Sequence, residues 1–163
     1  MKTNKVGWWL KMADFDIDFG PWIAYGAGGK GDKEELIMRQ KMEELKTMSW
    51  SPFNGFDAAN VFIFCMAYAF AKGRVPNKSA GKGGNMPASA FKRDMRDFMK
   101  AVAIAHTKDL NVITDPNKVV KICEGFASAS FLEVYNTIKD RDPTISAEMI
   151  LDSFLQEIES ARK

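Results

Sequence analysis

The side chains with the plainest chemical reading in this 163-residue sequence are cations. Lys and Arg number 23 against 21 Asp and Glu, a net +2, but the excess is local. Residues 1–71 hold eight Lys/Arg against nine Asp/Glu, residues 101–163 seven against ten, and residues 72–100 eight against two, so a +6 segment sits between negative flanks. In a helix opening near Ala88, a rotation of about 100° per residue gathers Lys92, Arg93, Arg96 and Lys100 into one sector of roughly 100°. Phe91, Met95, Phe98, Met99 and Val102 fall in a separate sector. Arg74, Lys78 and Lys82, with Lys72, precede that helix, and Gly81, Gly83 and Gly84 would let the backbone approach a phosphate closely. Such a strip can neutralise several phosphates, binding nucleic acid with little sequence preference and strong salt dependence. The competing reading is a solvated helix face, because Asp94 and Asp97 stand among Arg93, Arg96 and Lys100, with Asp97 spaced to pair with Arg93 at (i, i+4) and with Lys100 at (i, i+3).

Catalytic and metal-binding constellations fare less well. Gly26-Ala27-Gly28-Gly29-Lys30-Gly31 matches G-x-G-x-x-G and opens a helix. No βαβ unit follows it, however, and no acidic residue ends a second strand about 20 residues on, as a dinucleotide site requires. A flexible joint, or a weak anion nest at a helix start, is the better reading. Asp14, Asp16 and Asp18 share one face of a candidate strand and have the oxygen chemistry for a hard cation such as Mg²⁺. The ordinary explanation is an acidic edge that discourages strand pairing between molecules. His106 is the only histidine and stands near a helix C-terminus, where it favours the dipole. Ser128 and Ser130 lack nucleophile-elbow glycines. Cys65 and Cys123 lack CxxC spacing and neighbouring ligand residues, so zinc binding is not indicated, and reduced thiols are the main reading with a disulfide between them the lesser one. We therefore expect no catalytic residues, no resident metal and no cofactor, and a protein that is not an enzyme.

The elements that must position the cations are mostly helical. Asp32 followed by Glu35 has the form of a capping box, and Leu36, Ile37, Met38, Met42 and Leu45 supply an apolar face to about Thr47. Asp57 can cap a helix that is apolar nearly all round and ends at Gly73, which places it at the centre of the fold. Residues 73–87, with four Gly and two Pro, read as a flexible Gly/Lys loop. A helix over about 88–106 follows. Asp115-Pro116 opens another to about Ile138, with Gly125 marking close packing or a kink, and Ser146 to Ala161 forms the last. The alternation Asp14-Phe15-Asp16-Ile17-Asp18-Phe19 predicts a strand that pairs as a hairpin with Trp22 to Tyr25. The expected fold is mainly α: one domain over 1–163, a compact bundle of about five helices with a small N-terminal β-hairpin, and a β or irregular arm over 1–31.

A hydrophobic content of 46% is enough for a real core in a chain of this size. The most apolar segment, Val61 to Ala71, is far shorter than the roughly 20 residues that cross a bilayer. Met1 to Leu10 lacks the apolar stretch of a signal peptide. The expected setting is the reducing cytoplasm, without a membrane partner. Trp8, Trp9, Trp22 and Trp50 are candidate anchors for a protein partner or a homodimer.

The run Phe56-Asp57-Ala58-Ala59-Asn60-Val61-Phe62-Ile63-Phe64-Cys65-Met66-Ala67-Tyr68-Ala69-Phe70-Ala71-Lys72-Gly73-Arg74-Val75-Pro76, then Phe98 to Ala105 and Val119 to Tyr135 around Ile122-Cys123-Glu124-Gly125-Phe126-Ala127, resembles a small accessory protein of bacterial DNA phosphorothioation gene clusters over about residues 48–139. The resemblance implies an accessory role in DNA modification or its linked restriction, and it carries no catalytic residues. The first 31 residues and the Gly/Lys loop depart from that pattern. Those departures also suit a phage or mobile-element protein that acts by binding a defence component. The expected function is thus a DNA-associated accessory protein contacting phosphates through Arg74, Lys78, Lys82, Lys92, Arg93, Arg96 and Lys100. The alternative is a protein-interaction module or inhibitor.

Overall fold

The structure, a computed structural model, describes residues 22–24, 32–78 and 85–163. Among the described residues, five helices form the bundle: α1 (Asp32–Thr47), α2 (Ala58–Ala71), α3 (Arg93–Thr107), α4 (Pro116–Lys139) and α5 (Ala147–Ala161). Two short strands, β1 (Trp22–Ala24) and β2 (Asn85–Pro87), pair antiparallel with Ile23 opposite Met86. The mainly helical class with a two-stranded antiparallel element is thus as the sequence reading has it. The strand paired with β1, however, comes from the end of the segment read as loop, some 60 residues on. The expected strand over 14–19 lies outside the described residues.

Helix α2 is the axis of the core, and its sequence explains why. Ala59, Val61, Phe62, Cys65, Met66, Tyr68 and Ala69 are all buried, so the helix is covered on nearly every side. It ends in a Schellman arrangement: the Gly73 N–H donates to the Phe70 carbonyl and the Arg74 N–H to the Ala69 carbonyl, with Gly73 at φ +68°. Asp57 holds the N-cap position in extended conformation, but its side chain makes no capping hydrogen bond, contrary to the sequence reading. Helix α4 is the longest and lies along α2. Its start follows the expected pattern, with the Asp115 carboxylate accepting from the Lys118 N–H and Pro116 in the first turn. The Ser130 hydroxyl donates to the Cys65 carbonyl at 2.7 Å, and Phe70 meets Phe126 edge to face, so the two central helices are joined by both polar and ring contacts.

The other helices cover this pair. Among the α1 residues whose burial is described, the Met38, Met42, Leu45 line is buried; Leu36 and Ile37 are exposed, because they lie roughly 100–160° around the helix from that line. Helix α3 begins five residues later than expected. Ala88–Ala90 form a 3₁₀ turn, Phe91 plugs the core against Phe62, and Lys92 is the extended N-cap of α3 rather than a residue within it. Lys108, at φ +58°, closes α3, and a 3₁₀ turn over Leu110–Thr114 leads to α4. Helix α5 starts where the Ser146 hydroxyl accepts from the Met149 N–H, and buries only Ile150 and Phe154. Among the described residues no helix is long and apolar enough to cross a membrane.

Gly125, in the middle of α4, is where the chain after α2 lies against the helix. A Cβ there would stand 2.7 Å from the Asn77 carbonyl oxygen and 2.9 Å from Pro76 Cβ. The Asn77 N–H donates to the Gly125 carbonyl at 3.0 Å, and its side-chain amide to the Ser128 hydroxyl at 3.1 Å. Close packing, one of the two readings the sequence offers, is therefore the reason for this glycine.

Candidate functional site

The cations of the basic segment divide into two groups. Lys72 and Arg74 turn inward. The Lys72 ammonium donates to the Tyr68 hydroxyl, Glu133 and Glu157 at 3.0, 3.1 and 3.1 Å. The Arg74 guanidinium pairs with Glu133 and donates to the Ala129 carbonyl at 2.8 Å. These two side chains serve to bind the end of α2 to α4 and α5, and are not available to a ligand. Lys78, Lys92 and Arg93 are exposed, with no ion-pair partner recorded among the described residues. Lys82 lies outside the described residues.

Arg96 and Lys100, one and two turns along α3 from Arg93, are half-buried. Arg96 Nε donates to the Phe91 carbonyl at 2.7 Å, tying the first turn of α3 to the chain that precedes it. Lys100 Nζ pairs with Asp97 at 3.1 Å, an (i, i+3) surface pair of modest strength. The structure thus brings Lys92, Arg93 and Arg96 together at the start of α3, with Lys100 further along. It separates Arg74 from them by committing it to Glu133.

Two clusters with the same logic were not found from the sequence. On α2, Tyr68 and Lys72 converge on Glu133 and Glu157. On α4, Tyr135 and Lys139 converge on Glu44 of α1, with the ammonium 2.7 Å from both the tyrosine hydroxyl and the carboxylate. In each, tyrosine and lysine stand four apart on one helix, and that spacing was the available signal. Burial pushes the Tyr68 hydroxyl up, and its bond to Glu157 adds to this. Burial likewise raises Tyr135, helped by Glu44. Burial opposes the Lys72 charge, but hydrogen bonds to Tyr68, Glu157 and Glu133 outweigh it and hold the ammonium above the ordinary lysine value. Glu44 pairing, with Tyr135, raises Lys139. Tyrosines held neutral in this way are structural donors, not activated bases.

The sign of the resulting pH dependence is fixed. The lysine contribution is complete below about 10.5 and is lost as pH climbs through the raised folded values, and the tyrosines likewise ionise more readily once unfolded. Stability should therefore fall above about pH 10. Absorbance of tyrosinate should show Tyr68 and Tyr135 ionising at higher pH in the folded protein than in urea. Coincident titrations in the two states would contradict these clusters.

The other candidates resolve as follows. Cys65 and Cys123 are free and buried; burial pushes the Cys65 thiol up to about 12 and raises Cys123 as well, so both are inert packing residues. His106 packs edge-on against Phe126 with centroids 5.2 Å apart. Ser128 and Ser130 are buried and bonded to backbone carbonyls. Trp50 donates its indole N–H to the Ile138 carbonyl, whereas Trp22 is 59% exposed. Among the described residues, no group of three or more His, Cys, Asp or Glu is placed to hold a metal ion. The aspartate triplet, the glycine-rich run over 26–31, Trp8 and Trp9 lie outside the described residues.

An open groove of about 370 Å³ runs between α2 and α5, lined by Phe64, Ala67, Tyr68 and Ala71 on one side and Leu151, Phe154, Leu155 and Ile158 on the other. Ile150, Leu151, Phe154, Leu155 and Ile158 share one helical stripe, so periodicity alone does not mark Leu151 and Leu155 as uncovered. No protein-family model, curated protein or solved structure matches the chain.

Proposed function

We propose that this protein is a non-enzymatic accessory component that associates with DNA through phosphate contacts, as in a DNA modification or restriction system. The observation that carries the reading is the pair Lys92 and Arg93, exposed at the start of α3 while Lys72 and Arg74 are consumed by carboxylates. The proposal also takes in Lys78, exposed in the segment after α2, and Arg96 and Lys100 further along α3, and it keeps Lys82 on the sequence alone. Arg74 is left out of this set because its guanidinium holds α2 to α4. Contacts of this kind position a protein on the duplex without reading sequence.

The test is fluorescence anisotropy of a labelled duplex at low salt with Lys92→Glu/Arg93→Glu. These side chains are exposed, so the double variant should fold normally and bind several-fold more weakly, with a salt slope shallower by about 2. Unchanged affinity would end the DNA reading. A second reading, a protein-interaction module such as an inhibitor of a defence component, is favoured by the open apolar groove between α2 and α5. The two are compatible in one molecule. Phe62, which meets Phe91 just before α3, and Phe64, which lines the groove, point about 160° apart on α2.

A further inference from the structure

We infer that the α2–α5 groove receives an amphipathic helix of a partner protein whose apolar stripe is flanked by Lys or Arg. The inference rests on the protein-interaction reading, and is independent of DNA binding.

The groove is incomplete as a core. Leu151 and Leu155 remain 36% and 57% exposed although Phe154, between them in sequence, is fully buried against Phe64 and Tyr68. The walls carry apolar side chains along two helical turns of each helix, a length of about 10 Å. That matches apolar residues at i, i+4 and i+7 of one incoming helix.

The charge of the rim selects the occupant. Between Ala147 and Ala161, α5 carries Glu148, Asp152, Glu157 and Glu159 and not a single Lys or Arg. Glu157 is engaged by Tyr68 and Lys72. The other three are exposed, with no ion-pair partner recorded among the described residues. At about 100° per residue, Glu148, Asp152 and Glu159 fall within roughly 40° of one another and border Leu155 on its solvent side. The outer lip of the apolar groove is therefore a row of free carboxylates. An incoming helix with cations beside its apolar stripe satisfies both features, whereas an acidic helix is repelled.

The probes are two fluorescein-labelled model peptides of about 18 residues. Both have leucines at i, i+4 and i+7; the remaining positions are mainly Lys in one and mainly Glu in the other. Titration by the full chain should show binding of the Lys peptide only. Leu155→Asp should weaken it at least about tenfold, and Glu148→Lys/Asp152→Lys, which leaves the apolar walls intact, should weaken it several-fold; circular dichroism checks that both variants fold. Equal binding of the two peptides would overturn the basic-helix inference while leaving a docking groove in place. Binding of neither would overturn both. Binding of the Lys peptide that Leu155→Asp does not change would place it elsewhere and refute the proposal. A sedimenting dimer that Leu155→Asp dissociates would assign the groove to a second copy instead.

Discussion

Replacing Gly125 by alanine is expected to destabilise the protein by about 2 kcal/mol, and by valine more, although either residue favours helix over glycine. In an exposed helix the alanine would gain about 1 kcal/mol. Here the new methyl group would stand 2.7 Å from the Asn77 carbonyl oxygen, which is backbone and already fixed by the Asn77 N–H bond to the Gly125 carbonyl. Relief requires moving the 74–78 segment off α4, which breaks that bond and the Asn77–Ser128 bond together. For a chain of this size the loss amounts to roughly 4–8 °C in Tm for alanine. Thermal unfolding followed by circular dichroism checks this, and an unchanged or raised Tm for Gly125→Ala would contradict the close approach.

Phe154→Ala should have the largest effect of all, about 3–5 kcal/mol of α5's attachment. Helix α5 buries only Ile150 and Phe154, and Phe154 is the ring that meets both Phe64 and Tyr68, with centroids 5.3 and 5.1 Å away. Loss of that ring leaves Ile150, and Glu157 through Tyr68 and Lys72, to hold the helix, and the Glu157 groups are partly solvated, so their pairing is weak compensation. The expected outcome is local: hydrogen exchange should show α5 unprotected while α2 and α4 keep their protection. Protection of α5 equal to that of the parent protein would contradict this assignment.

Local signals made most of the helical boundaries legible. Asp115-Pro116, Ser146 and Gly73 act through bonds that span three to five positions, and such bonds are written in the sequence itself. Periodicity was weaker where neighbours decide which face is buried. Leu36 and Ile37 look like core residues next to Met38, but both are exposed while Met38, Met42 and Leu45 are buried. The pairing of β1 with β2 was not legible, because nothing in Trp22–Ala24 names a partner strand 60 residues on.

The same limit governed the site. Counting charges located the basic segment but not the carboxylates that meet it: Glu133 and Glu157 lie 61 and 85 residues from Lys72. Two of the cations in that segment were therefore structural, a fact that only tertiary contact reveals. The acidic lip of the groove was written in α5 all along. Its meaning depended on Leu151 and Leu155 being left uncovered beside it.

The central claim is that the cations remaining outward at the start of α3 meet phosphate. Its most direct measurement is the slope of log K against log salt concentration for a duplex of random sequence. With three to five phosphates neutralised by Lys78, Lys82, Lys92, Arg93 and their neighbours, the predicted slope is roughly −3 to −5. A slope near zero, or no binding even at low salt, would contradict it.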